Sequence, residues 1–549
     1  MTRSILRALV VSAALGCIAP PSAAWAQGPV VQAPAGTLGG EALDGVHAFR
    51  GIPYAEPPVK QQRWRPPVPA RPWKGVRDAT RFGPACVQPP SRPGSIYAPG
   101  EALPTSEDCL SLNVWTPADA KDAPVFVWIH GGSLVAGSSR EPMYDGARLA
   151  AQGIVVVSVN YRLGVLGYLA HPDLSAESSD GVSGNYGLLD QIEALRWVRR
   201  NIGAFGGDPG NVTIAGESAG ALSVMYLMAS PPARGLFHRA IAQSAYMIST
   251  PALREAVHGA PSAEESGLGL SRVLGVRGLP RLRGMDPQEL TVKAAMAGFL
   301  PFGNVDGKVL PAQLVEVFDR GEQAPVPVLA GFNEGEIRSL RFLLPPRPAD
   351  AAGYEAAIRA AYGDLADAML ERYPAADLDA AMLATTRDAM YGWTAERLVR
   401  KQTGLGQPSF LYYYDHGYPA ADGAGLHAFH ASELPYVFAN ADRAPPNWPK
   451  VPDTAREKAL SAAMAGYWAS FARDGVPVAA GQPAWPPYAR ARAYMAFADA
   501  PAPRECLMPG MYELVEGVVC RRRAHGGLPW HWNVGVASPP LPAGAPGCP

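Results

Sequence analysis

The sequence has almost no net charge: 48 Lys and Arg stand against 49 Asp and Glu, leaving −1, without a long run of either sign. A protein that grips nucleic acid or a lipid surface needs a one-signed field, so no polyanion partner is expected. Long apolar runs are equally scarce. Only residues 8–18 form one, and that length cannot span a bilayer, so no stable membrane insertion is expected. Cysteine is sparse, six in 549 residues, and none is spaced as a metal ligand. A metal site is therefore not expected. There is no internal repeat and no linker long enough to separate independent domains. What is plentiful is glycine (58) and proline (56), which point to many loops on a packed scaffold.

The N-terminus bears on the compartment. Arg3 and Arg7 precede the apolar run, and Ala24-Trp25-Ala26 precedes Gln27. This is the pattern of a cleavable secretory signal over residues 1–26, so the chain is expected to be exported, periplasmic or secreted. A lipid anchor at Cys17 ranks second, because Ala14 sits where such sites prefer leucine. Cleavage leaves Cys86, Cys109, Cys506, Cys520 and Cys548. Export favours disulfides, and the shortest loops are closed by pairing Cys86 with Cys109 and Cys506 with Cys520. Cys548 is then left over, in a Pro- and Gly-rich end expected to be mobile.

Strand-like and helix-like patterns alternate along the chain. Residues 124–129, 154–159, 212–215, 240–242, 326–330 and 410–414 are apolar or nearly so. Runs apolar on both faces belong to a sheet covered on both sides. Between them lie helical patterns such as 188–201, where Leu189, Ile192, Leu195 and Val198 recur at helical spacing. The expected class is α/β, a large mostly parallel sheet with helices on both faces. Pro345-Pro346-Arg347-Pro348 interrupts the alternation and opens a helix-rich region, 349–404, expected to lie over the sheet as an insertion.

Residues 212–220 read VTIAGESAG, a strand pattern that breaks into Gly216-Glu217-Ser218-Ala219-Gly220. Gly-x-Ser-x-Gly after a strand and before a helix (219–228) suits a serine on a sharp, strained turn, its hydroxyl exposed at a helix N-terminus. A serine hydroxyl needs a base with an orienting acid, and donors for the oxyanion it creates. His130-Gly131-Gly132-Ser133 follows the 124–129 strand and fits a loop that presents backbone amides, His130 itself being structural. Two glutamates, Glu334 and Glu336, follow one strand, and two histidines, His427 and His430, follow another. Chemistry alone leaves both choices open.

Ordered matches along residues 38–497 resemble the type-B carboxylesterases, the cholinesterase-like branch of the α/β-hydrolases. They include Phe49-Arg50-Gly51-Ile52-Pro53-Tyr54-Ala55, Glu107-Asp108-Cys109-Leu110-Ser111-Leu112-Asn113-Val114-Trp115, Asn160-Tyr161-Arg162, Asn185-Tyr186-Gly187-Leu188-Leu189-Asp190-Gln191 and Phe205-Gly206-Gly207-Asp208-Pro209. The resemblance implies one α/β-hydrolase domain over 27–549 with helical insertions over the site, and a serine esterase needing no cofactor. It places the acid three residues after Asn333, at Glu336, leaving Glu334 a solvated neighbour. His430-Ala431-Ser432-Glu433-Leu434-Pro435-Tyr436-Val437-Phe438 is similar to the segment that carries the family's base, which selects His430 and leaves His427 a bystander. The implied triad is Ser218, Glu336 and His430, with an oxyanion hole from the amides of Gly132, Ser133 and Ala219. Glu217 is implied to organise the site's charge and water, and Ser244 to bond the triad glutamate. The resemblance also supports the Cys86–Cys109 bridge.

Two departures stand out: Ser133 where the family often has a third glycine, and Ala431 where a glycine often follows the histidine. The substrate is expected to be a small-molecule ester. Two other readings are an interfacial lipase, marked by activity that jumps above the critical micelle concentration, and a cholinesterase-like binding protein without catalysis. The latter lacks the nucleophile and base that this sequence keeps.

Overall fold

Runs rich in β-branched and aromatic residues build one sheet of eleven strands in the computed structural model, which describes residues 28–531 and 533–548. The expected signal (1–26) and the alternative lipid site at Cys17 lie outside the described residues. In chain order the strands are β1 (Glu41–Leu43), β2 (Val46–Pro53), β3 (Ser111–Pro117), β4 (Ala123–Ile129), β5 (Val155–Val159), β6 (Gly207–Glu217), β7 (Arg239–Gln243), β8 (Val328–Asn333), β9 (Ser409–Tyr414), β10 (Ala493–Phe497) and β11 (Pro501–Glu505). Across the sheet they run β1-β2-β3-β5-β4-β6-β7-β8-β9-β10-β11. Neighbours from β5 to β10 are parallel, and both edges are antiparallel. Every apolar run read from the sequence falls in the parallel part.

Alternation along the strands divides the interior. Val125, Val127, Ile129, Val212 and Ile214 join one buried core, whereas Phe126, Trp128 and Ala215 join another on the opposite face. Helices α1 (Tyr186–Asn201), α2 (Ala219–Ala229) and α3 (Trp393–Gly404) cover the first face, seating Ile192, Leu222 and Leu398. Helix α4 (Ala455–Asp474) covers the second with Met464, Trp468 and Phe471. Within the helix-rich region, Ala351–Tyr362, Ala366–Arg372 and Leu378–Arg387 share a small core of their own with Val518 of α5 (Met511–His525). Of that region, α3 and the turn before it, with Tyr391, reach the main core, and Leu383 packs against it.

Parallel strands put their C-terminal ends at one edge, where α/β proteins build their sites. β4 delivers His130, β6 delivers Ser218, β8 delivers Glu334 to Glu336, and β9 leads on to His430.

The cysteines correct one expectation. Cys86 bonds Cys109, but Cys520 bonds Cys548 rather than Cys506, which is an exposed free thiol. The C-terminal tail, expected to be mobile, packs back on the molecule. Trp530 is fully buried against Trp393, the Leu541 amide donates to Ala361 O at 2.9 Å, and Val536 and Leu541 join the core around Val518. These apolar anchors return Cys548 to the flank of α5. Pairing by shortest loop had no means of counting them.

Candidate active site

The strand-to-helix turn after β6 is tight enough to exclude side chains on either side. A Cβ on Gly216 would lie 2.4 Å from the Gly220 carbonyl carbon, and one on Gly220 would lie 2.0 Å from Ile129 O. Between them Ser218 takes φ 55° and ψ −121°, a conformation that non-glycine residues hold only when their surroundings enforce it. The enforcement is visible. Ser218 N donates to Gln243 O of β7 at 2.9 Å, and Ser218 O accepts from Leu222 N at 2.9 Å. Ser218 thus stands at the N-terminus of α2, where the first amides have no intrahelical acceptor.

Glu336 is fully buried. Its Oε1 accepts from Asn333 N at 2.8 Å, and its Oε2 lies 2.5 Å from His430 Nδ1. The other ring nitrogen, Nε2, lies 3.0 Å from Glu217 Oε1, off the direction of a hydrogen bond. Among the described residues no hydrogen bond joins Ser218 Oγ to the ring; such contacts in empty sites often tighten only when substrate binds. Burial pushes Glu217 up to about 8. Burial opposes charge on His430, but Glu217 and Glu336 outweigh it and lift the imidazole to about 9. His130, by contrast, is driven down to about 4 by burial; its Nδ1 lies 2.9 Å from Gly131 O and its ring stacks on Tyr161. A neutral, packed ring is the structural role expected of it.

Gly132, Ser133 and Leu134 have φ of 103°, 57° and 58°. This left-handed turn leaves Gly132 and Ser133 exposed beside buried neighbours. The amide of Ala219 opens the first turn of α2 beside Ser218.

Two expectations change on the acid side. Ser244 was expected to bond Glu336, yet its buried hydroxyl finds no partner among the described residues. The Asn333 amide holds the carboxylate instead, because residues 333 and 336 share one tight turn. Glu334 is ion-paired rather than merely solvated, with Arg338 at 3.1 Å and Arg387 at 3.5 Å.

Sequence reasoning also missed the polar groups beneath the site. Glu433 Oε1 accepts from Gln243 Nε2 at 2.9 Å and its Oε2 from Asn333 Nδ2 at 2.7 Å; Gln243 Oε1 accepts from Trp468 Nε1 at 2.9 Å. Burial raises Glu433 to about 6, against the pull of Asn333. Polar side chains at the ends of apolar runs, Gln243 and Asn333, were the available signal. Tyr97, inside the Cys86–Cys109 loop, was missed as well: its hydroxyl lies 2.8 Å from Ser339 Oγ and 3.0 Å from His430 O.

A serine, an acid-braced imidazole and turned-out amides at the C-terminal edge of a mostly parallel sheet belong to the α/β-hydrolase class. The chain is a member of the carboxylesterase family, whose model matches residues 27–508, and is a carboxylic ester hydrolase. It is similar to the fumonisin B1 esterase of Sphingopyxis macrogoltabida, 38% identical over 504 residues, covering 88% of this chain and 89% of the relative. It is also 36% identical to the para-nitrobenzyl esterase of Bacillus subtilis (strain 168), covering 80% and 89% of the two. A solved PNB esterase superposes with a TM-score of 0.76 at 33% identity, over 88% of this chain and 99% of that one.

Proposed function

We propose that the chain hydrolyses esters through an acyl-enzyme on Ser218. His430 takes the Ser218 proton as the hydroxyl attacks the ester carbonyl, and Glu336 orients the ring and stabilises its charged form. The developing oxyanion is received by the amides of Gly132, Ser133 and Ala219. Collapse of the tetrahedral adduct expels the alcohol, which takes the proton from His430. Water, activated by the same imidazole, then releases the acid and restores Ser218. The observation that carries this reading is the 2.5 Å contact of buried Glu336 with His430 at the strand edge that also bears the strained Ser218.

We further propose that the chain is exported with removal of residues 1–26; its two disulfides suit an oxidising compartment. A fluorophosphonate probe is expected to label Ser218, and Ser218→Ala to lose both labelling and turnover. Labelling that survives in Ser218→Ala would overturn the assignment. Substrate preference is best read from p-nitrophenyl esters of graded acyl length together with bulky aromatic and para-nitrobenzyl esters, the last suggested by the named relatives.

A further inference from the structure

Three residues before the proposed base, His427 was left a bystander by the sequence. The structure surrounds its ring with partners. Nδ1 lies 2.7 Å from Asp422 Oδ1, in the short helix Pro419–Gly423, and Nε2 lies 3.1 Å from Asp415 Oδ1, the first residue beyond β9. Glu334, with ligand-type atoms within 4.8 Å of those of Asp415 and His427, adds a third carboxylate. Glu334 faces Arg338 and Arg387 in turn. Arg387 is also paired with Asp388 at 2.7 Å, so four carboxylates meet two guanidinium groups and one imidazole, an excess of negative charge that favours the protonated ring. A bound cation would have to displace existing partners from both ring nitrogens and from Glu334, so the group reads as an ion-pair cluster rather than a metal site.

The local chain is shaped around this ring. A Cβ on Gly417 would stand 2.2 Å from His427 Nδ1, so only glycine fits below it. His427 itself holds φ 50°. The next residues run directly along the turn that carries the proposed acid: Gly335 N donates to Ala428 O at 2.7 Å, and Asn333 Nδ2 donates to Phe429 O at 2.9 Å. Residues 427–430 are therefore gripped by the Glu336 turn at Ala428 and Phe429, by Tyr97 at the His430 carbonyl, and at their start by the His427 ring.

We propose that His427 is a positioning residue, a charged staple that ties the base loop to Asp415 and Asp422 and so keeps His430 in register with Glu336 and Ser218. This rests on the triad reading given above. The hydrogen bond to Asp415, together with Asp422, outweighs partial burial and raises the ring to about 9. Because the folded value lies above the ordinary one, the staple is fully charged near neutral pH and is lost as pH rises through about 9.

The test is steady-state hydrolysis of p-nitrophenyl butyrate by the full chain from about pH 6 to 10, a range that spans free and raised imidazoles. His427→Ala is expected to lower kcat about tenfold with KM little changed, the signature of a misplaced base rather than weakened binding. His427→Lys, which keeps a cation, should recover most of kcat and move the alkaline decline to higher pH. Should His427→Ala fold poorly by circular dichroism, Asp415→Asn removes the charge that the ring pairs with on its Nε2 side and should give the same kcat loss. The proposal is overturned if folded His427→Ala or Asp415→Asn matches the parent in kcat and in its pH profile. It is equally overturned if His427→Lys is as impaired as His427→Ala with no shift of the alkaline limb. His430→Ala separates the two levels: turnover surviving there sinks the triad reading, whereas an inactive His430→Ala beside a parent-like His427→Ala sinks the staple alone.

Discussion

Two carboxylates flank one imidazole, and they do different work. Glu336 receives the Asn333 amide and faces Nδ1, so its charge is satisfied and directed. Glu217 is buried, lies near Nε2 without a hydrogen bond, and is raised to about 8. Glu336, joined by Glu217 as it ionises near 8, holds the proton on His430, so the ring's neutral form is gained as pH rises. Activity is therefore expected to climb from neutral into mildly alkaline pH rather than through the ~6.5 of a free imidazole. Glu217→Gln removes one of the charges that lift the ring. The acid limb of kcat/KM should then move to lower pH, while the same limb in Glu334→Gln stays in place. A pH–rate series on the two variants decides it; an unmoved limb in Glu217→Gln would show that Glu217 does not lift the ring, leaving Glu336 and Glu433. Ser218 stood out through its own Gly-x-Ser-x-Gly run, whereas Glu336 and His430 were separated from Glu334 and His427 only by the family resemblance. The link among Gln243, Asn333 and Glu433 was not legible, because it joins two strand ends to a residue about a hundred or more positions further on, which no local pattern shows.

At the level of elements, the turn between β6 and α2 is the most constrained piece of backbone near the site. The two glycines around Ser218 are dictated by approach distance rather than by flexibility. Gly220→Ala drives a methyl into Ile129 O, and the backbone must shift to relieve it. A loss of about 1–3 kcal/mol in stability is expected, the usual cost of overpacking, with a larger proportional loss of kcat as Ser218 moves. Chemical denaturation and steady-state kinetics on the one variant check both. The parallel strands were readable from composition because both of their faces are buried. Of these β10 was not singled out, nor were the antiparallel β1, β2, β3 and β11; the two edge strands, β1 and β11, are short and largely exposed.

On the scale of the whole molecule, the C-terminal tail was the part composition misjudged. Its prolines and glycines suggested looseness, yet Trp530 and Leu541 are anchored and Cys548 is bonded to α5. Cys548→Ser is expected to cost up to about 3 kcal/mol, the scale for opening a loop of this size, and to lower the midpoint of thermal unfolding. Cys506→Ser should leave that midpoint unchanged, because its thiol is exposed and unbonded. Non-reducing peptide mapping should recover the Cys520–Cys548 pair; recovery of Cys506 joined to Cys520 would contradict the fold described for the tail.

The bond from Tyr97 to the carbonyl of His430 spans 333 residues, and that from His430 to Glu336 spans 94. Closing contacts of such long range comes late in folding, after local helices and hairpins have formed. Recovered esterase turnover during refolding therefore reports completion of the entire topology, and should lag well behind the return of far-ultraviolet dichroism. For this enzyme the onset of catalysis is a clock for its last long-range docking event.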